Sequence, residues 1–174
     1  MRITAKIDYA VRACAELASR YTELPDGSAR YTKAEEISDA QGVSTGFVLG
    51  ILNELKQAGL VESRRGADGG YRLAVSPDRI VIADVVRVID GPLANVAGRN
   101  VEDVSYDGAA TSVRDVWVAL RAAMRTVLDE VTLSDVVAGA LGDDVTALIA
   151  DEEAWRTRPN GRRTRIGRIG DATD

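Results

Sequence analysis

Apolar residues recur at three- and four-residue intervals along most of the chain, a spacing that predicts helices. Ile7, Val11, Cys14, Leu17 and Ala18 trace one face of a first helix that starts after Thr4, a capping residue, and runs to about Tyr21. The stretch "TELPDGSARYT" gathers Pro, Asp, Gly and Ser and reads as a loop. A second helix is predicted from Thr32, where Thr32-Lys33-Ala34-Glu35 fits a capping box, to about Gln41. Gly42-Val43-Ser44-Thr45 forms a tight turn, and Ser44 or Thr45 caps a third helix over about residues 46–58. Phe47, Ile51, Leu52 and Leu55 face inward by their spacing, and Gly59 stands where a left-handed helix terminus belongs.

The pattern then shortens. Residues 60–64 and 71–75 are brief extended segments joined by "SRRGADGGYRL", and Pro77 closes the unit. The apolar run "VIADVVRVI" predicts a helix over 81–89 that ends at Asp90-Gly91-Pro92. Residues 93–111 lack periodicity and read as a loop or mobile connection. Val113, Val116, Trp117, Leu120, Met124, Val127, Leu128 and Val131 hold a stripe over about twenty residues, ~30 Å of helix. A short amphipathic helix follows near 134–141, and no internal repeat occurs. The fold expected is mainly α with a small β-hairpin, divided as 1–80, 81–141 and 142–174. The tail "RTRPNGRRTRIGRIGD" has little to bury and is expected to be disordered or loosely attached.

Composition removes several chemistries. At 45% hydrophobic the chain can bury a core, as one domain or one small domain with an appendage. No apolar run approaches the ~18 residues that span a bilayer, and the N-terminus lacks signal-peptide features, so a cytoplasmic protein without a membrane partner is expected. There is no histidine and one cysteine, which excludes a histidine base, a zinc finger and an all-cysteine iron–sulfur site. The carboxylates between Asp143 and Glu153 read as a solvated surface, and nothing pairs a nucleophile with a base, so an enzyme is not expected. The net charge is −5, but residues 1–80 hold 11 Lys and Arg against 11 Asp and Glu, residues 81–155 hold 5 against 14, and residues 156–174 hold 6 against 2. A neutral front segment can still present one basic face.

Helix, turn, helix and hairpin is the order of a winged helix-turn-helix. The major groove admits a helix, and the second helix of such a pair enters it with polar N-terminal residues towards base edges. Here the outward face offers Ser44, Thr45, Gly46, Leu49, Gly50, Asn53 and Lys56. Arg64 and Arg65 on the hairpin suit phosphates or a narrow minor groove. A nucleotide-binding reading of the glycine-rich stretch is disfavoured, because such loops lead from a strand into a helix rather than into a second strand.

At this point the residues resemble a known family. Met1-Arg2-Ile3-Thr4-Ala5-Lys6 and Asp8-Tyr9-Ala10-Val11-Arg12-Ala13, then Leu52-Asn53-Glu54-Leu55-Lys56-Gln57-Ala58-Gly59-Leu60-Val61, are similar to the Rrf2-type (IscR/NsrR/CymR-like) winged helix-turn-helix regulators. The likeness is strongest at Arg65-Gly66-Ala67-Asp68-Gly69-Gly70-Tyr71-Arg72-Leu73, and it covers about residues 1–136. The resemblance implies a homodimeric DNA-binding regulator, usually a repressor, whose long helix crosses its partner's. The DNA-facing set is then Lys6, Lys33, Ser44, Thr45, Leu49, Asn53, Arg64, Arg65, Gly66 and Tyr71. The dimerisation set is Val113, Trp117, Leu120, Met124, Val127 and Val131.

The chain departs from the family in two places. Cluster-binding relatives carry three cysteines before the long helix, where this chain has neither cysteine nor histidine; no cofactor is expected, and Asp8 reads as a first-turn carboxylate. Many relatives carry Glu-Gln where this chain has Leu49-Gly50, so a different operator is expected. Cys14 reads as a buried structural thiol. The arginine tail is either a nonspecific DNA contact or a solvated end. Partners expected are duplex DNA, a second copy, and an unidentified small-molecule or protein effector acting between Asp90 and Asp115. The alternative is a protein-interaction module whose DNA binding depends on a partner protein or metabolic enzyme.

Overall fold

The computed structural model describes residues 3–22 and 30–157. Thr4 is the first cap: its Oγ1 accepts from the Ile7 N–H at 3.2 Å, and α1 spans Ala5–Ser19. Its buried face, Ile7, Ala10, Ala13, Cys14, Leu17 and Ala18, includes three alanines that let neighbouring backbones approach closely. Around it pack α2 (Ala34–Gln41), α3 (Thr45–Gln57), α4 (Ile82–Asp90) and α6 (Leu133–Ala138). Strands β1 (Val61–Arg64) and β2 (Gly70–Leu73) form the antiparallel hairpin, with Val61 opposite Leu73, Glu62 opposite Arg72, Ser63 opposite Tyr71 and Arg64 opposite Gly70. Val61 and Leu73 enter the core with Ile37, Val48, Ile51, Leu52, Leu55, Ile80, Val85 and Leu133. The mainly helical fold with a small hairpin is therefore the one observed.

Two local expectations change. Thr32 does not cap α2; Lys33 occupies the cap position and its N–H donates to Glu36 Oε1 at 3.4 Å. Thr32 is instead buried in a bridge to β2, with Thr32 N–H to Tyr71 O at 2.9 Å and Tyr71 N–H to Thr32 O at 2.8 Å. Phe47 is not a core residue, being 38% exposed, and Val48 takes the buried place beside it. The Phe47 ring meets Tyr9 edge-on at 5.6 Å, which shields it without burying it.

Residues 93–111 are built rather than loose. Strands β3 (Asn95–Val96) and β4 (Arg99–Asn100) form a two-residue hairpin, and 3₁₀ turns follow at Val101–Asp103 and Gly108–Ala110. Leu93, Val101 and Val104 are buried. These strands are too short to show a period of two, which is why the pattern hid them.

Helix α5 covers Val113–Leu128, shorter than the predicted stripe, and none of its residues is fully buried. Arg87 on α4 holds its C-terminal end, with Nη2 2.6 Å from Asp129 Oδ1. Arg121 pairs with Glu102 on the preceding 3₁₀ turn. Thr132 caps α6: its Oγ1 accepts from Asp135 N–H at 3.1 Å and donates to Asp135 Oδ2 at 2.6 Å.

The chain divides into two compact units, Met1–Gly142 and Asp143–Asp174. In the second, α7 (Asp143–Ala150) leads to a 3₁₀ turn at Glu152–Trp155, where the Trp155 indole donates to Ile149 O at 2.7 Å. The arginine-rich tail beyond Thr157 lies outside the described residues, as does most of the loop after α1. Among the described residues no helix is long and apolar enough to cross a membrane.

Candidate nucleic-acid interface

The α2–α3 turn is locked by hydroxyls. Gly42 takes a left-handed conformation, Ser38 Oγ donates to Val43 O at 2.6 Å, and Thr45 Oγ1 donates to Ser38 Oγ at 3.1 Å. Ser44 Oγ accepts from Phe47 N–H at 3.4 Å, capping α3, and keeps its own proton to donate outward. The two hydroxyls therefore differ: Ser44 is exposed, whereas half-buried Thr45 is engaged in holding the turn. Beyond them Leu49, Gly50, Asn53 and Lys56 are exposed on the α3 face. Glu54 is the sole carboxylate of α3, and Lys6 neutralises it at 2.7 Å. Lys6 thus ties α1 to α3 rather than standing free.

Four other acids of this unit are treated alike. Arg12 pairs with Asp8 at 3.3 Å, Arg20 with Glu16 at 3.2 Å and Glu36 at 3.0 Å, and Arg72 with Glu62 at 2.9 Å. Among the described residues no ion pair holds Lys33, Lys56, Arg64 or Arg65, all exposed. The balanced charge of residues 1–80 resolves into internal pairs and exposed charges of both signs. The cations Lys56, Arg64 and Arg65 lie on the groove helix and wing, and the acids Glu35 and Asp39, unpaired among the described residues, lie on α2. Asp68, exposed at the hairpin tip, follows the two arginines in sequence and has no ion pair among the described residues, whereas Glu62, ahead of them, is taken by Arg72.

Register sorts the hairpin's side chains. Val61 and Leu73 point to the core, so Glu62, Arg64, Gly70 and Arg72 share the opposite face. Tyr71 is half-buried and packs on the core, so its contribution is to hold the wing rather than to form its tip. Two of the hairpin's glycines let the chain approach itself. A Cβ on Gly69 would lie 2.2 Å from Arg64 O, and one on Gly70 would lie 2.4 Å from Thr32 O. Gly66, by contrast, is exposed with open space around it.

Two residues without a periodic signal join this surface. Arg72 and Arg64 both lie over the ring of Tyr31, at 5.3 and 5.8 Å from its centroid. Arg64 occurs in the candidate set, but Tyr31 and Arg72 do not. The only hint in the sequence was the aromatic–Thr pair ahead of α2, which becomes meaningful once Thr32 pairs with β2.

On α5, Val113, Trp117, Met124 and Val127 are half-buried, Val116 is 59% exposed and Leu120 40%. Val131 belongs elsewhere: it is buried in its own protomer, and its carbonyl accepts from Ile82 N–H at 2.9 Å. The residues ahead of α5 do not fit an iron–sulfur cluster. They supply no thiolate or imidazole, and among the described residues no group of three or more His, Cys, Asp or Glu side chains could hold a metal. Cys14 is fully buried on α1, and burial pushes its thiol up to about 12.

Comparisons with known proteins agree with this geometry. The Rrf2 family model, described as iron-dependent transcriptional regulator, matches residues 3–139. A protein of Mycobacterium tuberculosis designated an HTH-type transcriptional regulator is 44% identical over 161 residues, covering 92% of this chain and 96% of that protein. The HTH-type transcriptional regulator CymR of Bacillus subtilis is 32% identical over 82% of this chain and 94% of its own. The solved B. subtilis CymR, the global cysteine regulator, superposes with a TM-score of 0.65 at 32% identity, covering 79% of this chain and 97% of that one. IscR of T. potens gives 0.60 at 28% identity, covering 91% and 94%. A winged helix-turn-helix with open cations on its groove helix and wing, matched over most of its length by such regulators, places this chain in the Rrf2 family of DNA-binding transcriptional regulators, which are not enzymes.

Proposed function

We propose that the chain acts as a cytoplasmic homodimeric repressor, with α3 in the major groove and the β1–β2 wing on the adjacent backbone or minor groove. The observation that carries the DNA-facing part is an α3 face without an unpaired carboxylate beside the open Arg64 and Arg65, in a chain of net charge −5. Ser44 and Asn53 supply hydrogen bonds, and Leu49 supplies apolar contact for a thymine methyl. Lys33 and Lys56 add phosphate contacts.

Dimerisation follows from α5. Val116 and Leu120 of its apolar stripe are exposed and the stripe residues around them only half-buried, and a second copy of the same stripe is self-complementary under twofold symmetry. Repression is the outcome that binding alone achieves, since a dimer seated on promoter DNA excludes other proteins without contacting them. An effector would act through residues 91–112, whose ordered hairpin and Glu102–Arg121 pair connect α4 to α5. The Rrf2 fold serves here without an iron–sulfur cofactor.

Binding to the DNA immediately upstream of the chain's own gene, titrated against salt with scrambled competitor, tests this reading. Arg64→Ala with Arg65→Ala should weaken binding and lower the slope of log affinity against log salt by about two. Unchanged affinity and slope would remove the wing from the interface. Val116→Glu should convert the dimer to monomer by native mass measurement, and a wild-type monomer would refute the α5 assignment.

A further inference from the structure

Tyr31 lies outside the groove helix and outside the hairpin, yet it touches the wing's charged face. Its position is fixed by backbone rather than by chance packing. Thr32, its neighbour, exchanges two hydrogen bonds with Tyr71 at 2.9 and 2.8 Å, adding a third extended segment to the β1–β2 pair. Gly70 permits that approach, since any Cβ there would meet Thr32 O at 2.4 Å. Gly70 also stands opposite Arg64, so no cross-strand side chain competes for the surface beside that arginine.

The ring of Tyr31 fills the vacancy. Arg72 lies over it at 5.3 Å and is fastened on its other side to Glu62, its cross-strand partner, by Nε at 3.0 Å and Nη2 at 2.9 Å. Arg64 lies over the same ring at 5.8 Å. A free arginine side chain loses rotamer freedom when a ligand immobilises it. A guanidinium already resting on an aromatic face has lost part of that freedom before DNA arrives.

We propose that Tyr31 is a positioning residue for DNA binding: its ring, braced by the Glu62–Arg72 pair, holds the Arg64 guanidinium in the orientation that meets the duplex. This rests on the assignment of Arg64 to the DNA interface. Arg72 is then a brace and not a DNA contact. Ordering by the ring leaves the number of charges unaltered, so its signature is separable from that of losing a cation.

The experiment measures affinity and salt slope of the full-length protein on a fluorescent duplex taken from the DNA upstream of its own gene. Tyr31→Leu should lower affinity about fivefold with an unchanged salt slope, whereas Arg64→Ala should lower affinity and reduce the slope by about one. Tyr31→Phe, which keeps the ring, should restore binding to within about twofold of wild type. Arg64→Lys, at an exposed position that tolerates substitution, should lose about fivefold while keeping its charge, because an ammonium lacks the planar stack. Tyr31→Leu placed in the Arg64→Ala background should add no further loss.

Two results would overturn the proposal while leaving the wing in contact with DNA. One is an Arg64→Ala variant that weakens binding beside a Tyr31→Leu variant that matches wild type. The other is full additivity of the two losses. An Arg64→Ala variant with wild-type affinity and slope would overturn the wing assignment, and the role of Tyr31 with it.

Discussion

Gly70→Ala gives the sharpest test of how the wing is held. The new methyl would sit 2.4 Å from Thr32 O and 2.7 Å from Thr32 C, both backbone atoms that no side-chain rotation can move. The segment must withdraw, and the two Thr32–Tyr71 hydrogen bonds are lost, at about 1 kcal/mol each. Gly70 also has φ +152°, where an alanine is strained by about 1 kcal/mol more. The total is ~3 kcal/mol, which for a unit of this size lowers Tm by about 9 °C. Gly66→Ala is the control: φ is +108° but nothing lies within 4 Å, so only strain of about 1 kcal/mol and a fall of about 3 °C are expected. The assay is thermal unfolding followed by circular dichroism at one fixed protein concentration, since dimerisation makes Tm concentration-dependent. A Gly70→Ala protein that melts with wild type, or no lower than Gly66→Ala, would refute the claim that the wing and the segment ahead of α2 form one sheet.

Two further predictions concern protonation. Cys14 ionises at about 12 when folded against an ordinary 9.0, so stability contributed by the neutral thiol should fall as pH climbs through that window. The difference between wild type and Cys14→Ala isolates it, and rapid labelling of the folded protein by a thiol reagent would contradict the burial. Asp135 is held below the usual carboxylate range first by the Thr132 hydroxyl and then by the Thr132 N–H. Its contribution is present above the unfolded carboxylate pKa and is lost as pH falls through the lower folded value. Thr132→Ala should cost about 1 kcal/mol in urea unfolding at neutral pH and flatten the acid limb; an acid limb identical to wild type would refute the cap.

What the sequence discloses depends on the range of each interaction. The Thr4 cap, the α1 face and the Ser44 start of α3 are local, and they are where spacing and capping chemistry place them. Thr32 deceived because Thr-Lys-Ala-Glu is a sound local cap pattern that loses to a hydrogen-bonded partner in β2, distant along the chain. Phe47 deceived because hydrophobicity says nothing about which of two adjacent residues faces the core, and the ring of Tyr9 gives Phe47 an alternative cover. Val131 continues the α5 stripe in sequence, but the helix ends at Leu128 and the chain turns it into the core. Tyr31 has no periodic signal because its two guanidinium partners come from strands that a sequence pattern pairs only loosely.

The Thr32–Tyr71 bridge also sets a ruler. It fuses the wing to the segment that leads into α2, while the Thr45–Ser38 and Ser38–Val43 bonds fuse α2 to α3. Groove helix and wing therefore form a single rigid template with one spacing between its two points of contact. A target lengthened by one base pair between those points cannot be met by swinging the wing outwards. The DNA must bend or untwist instead, so binding will be graded by the stiffness of bases that no side chain touches.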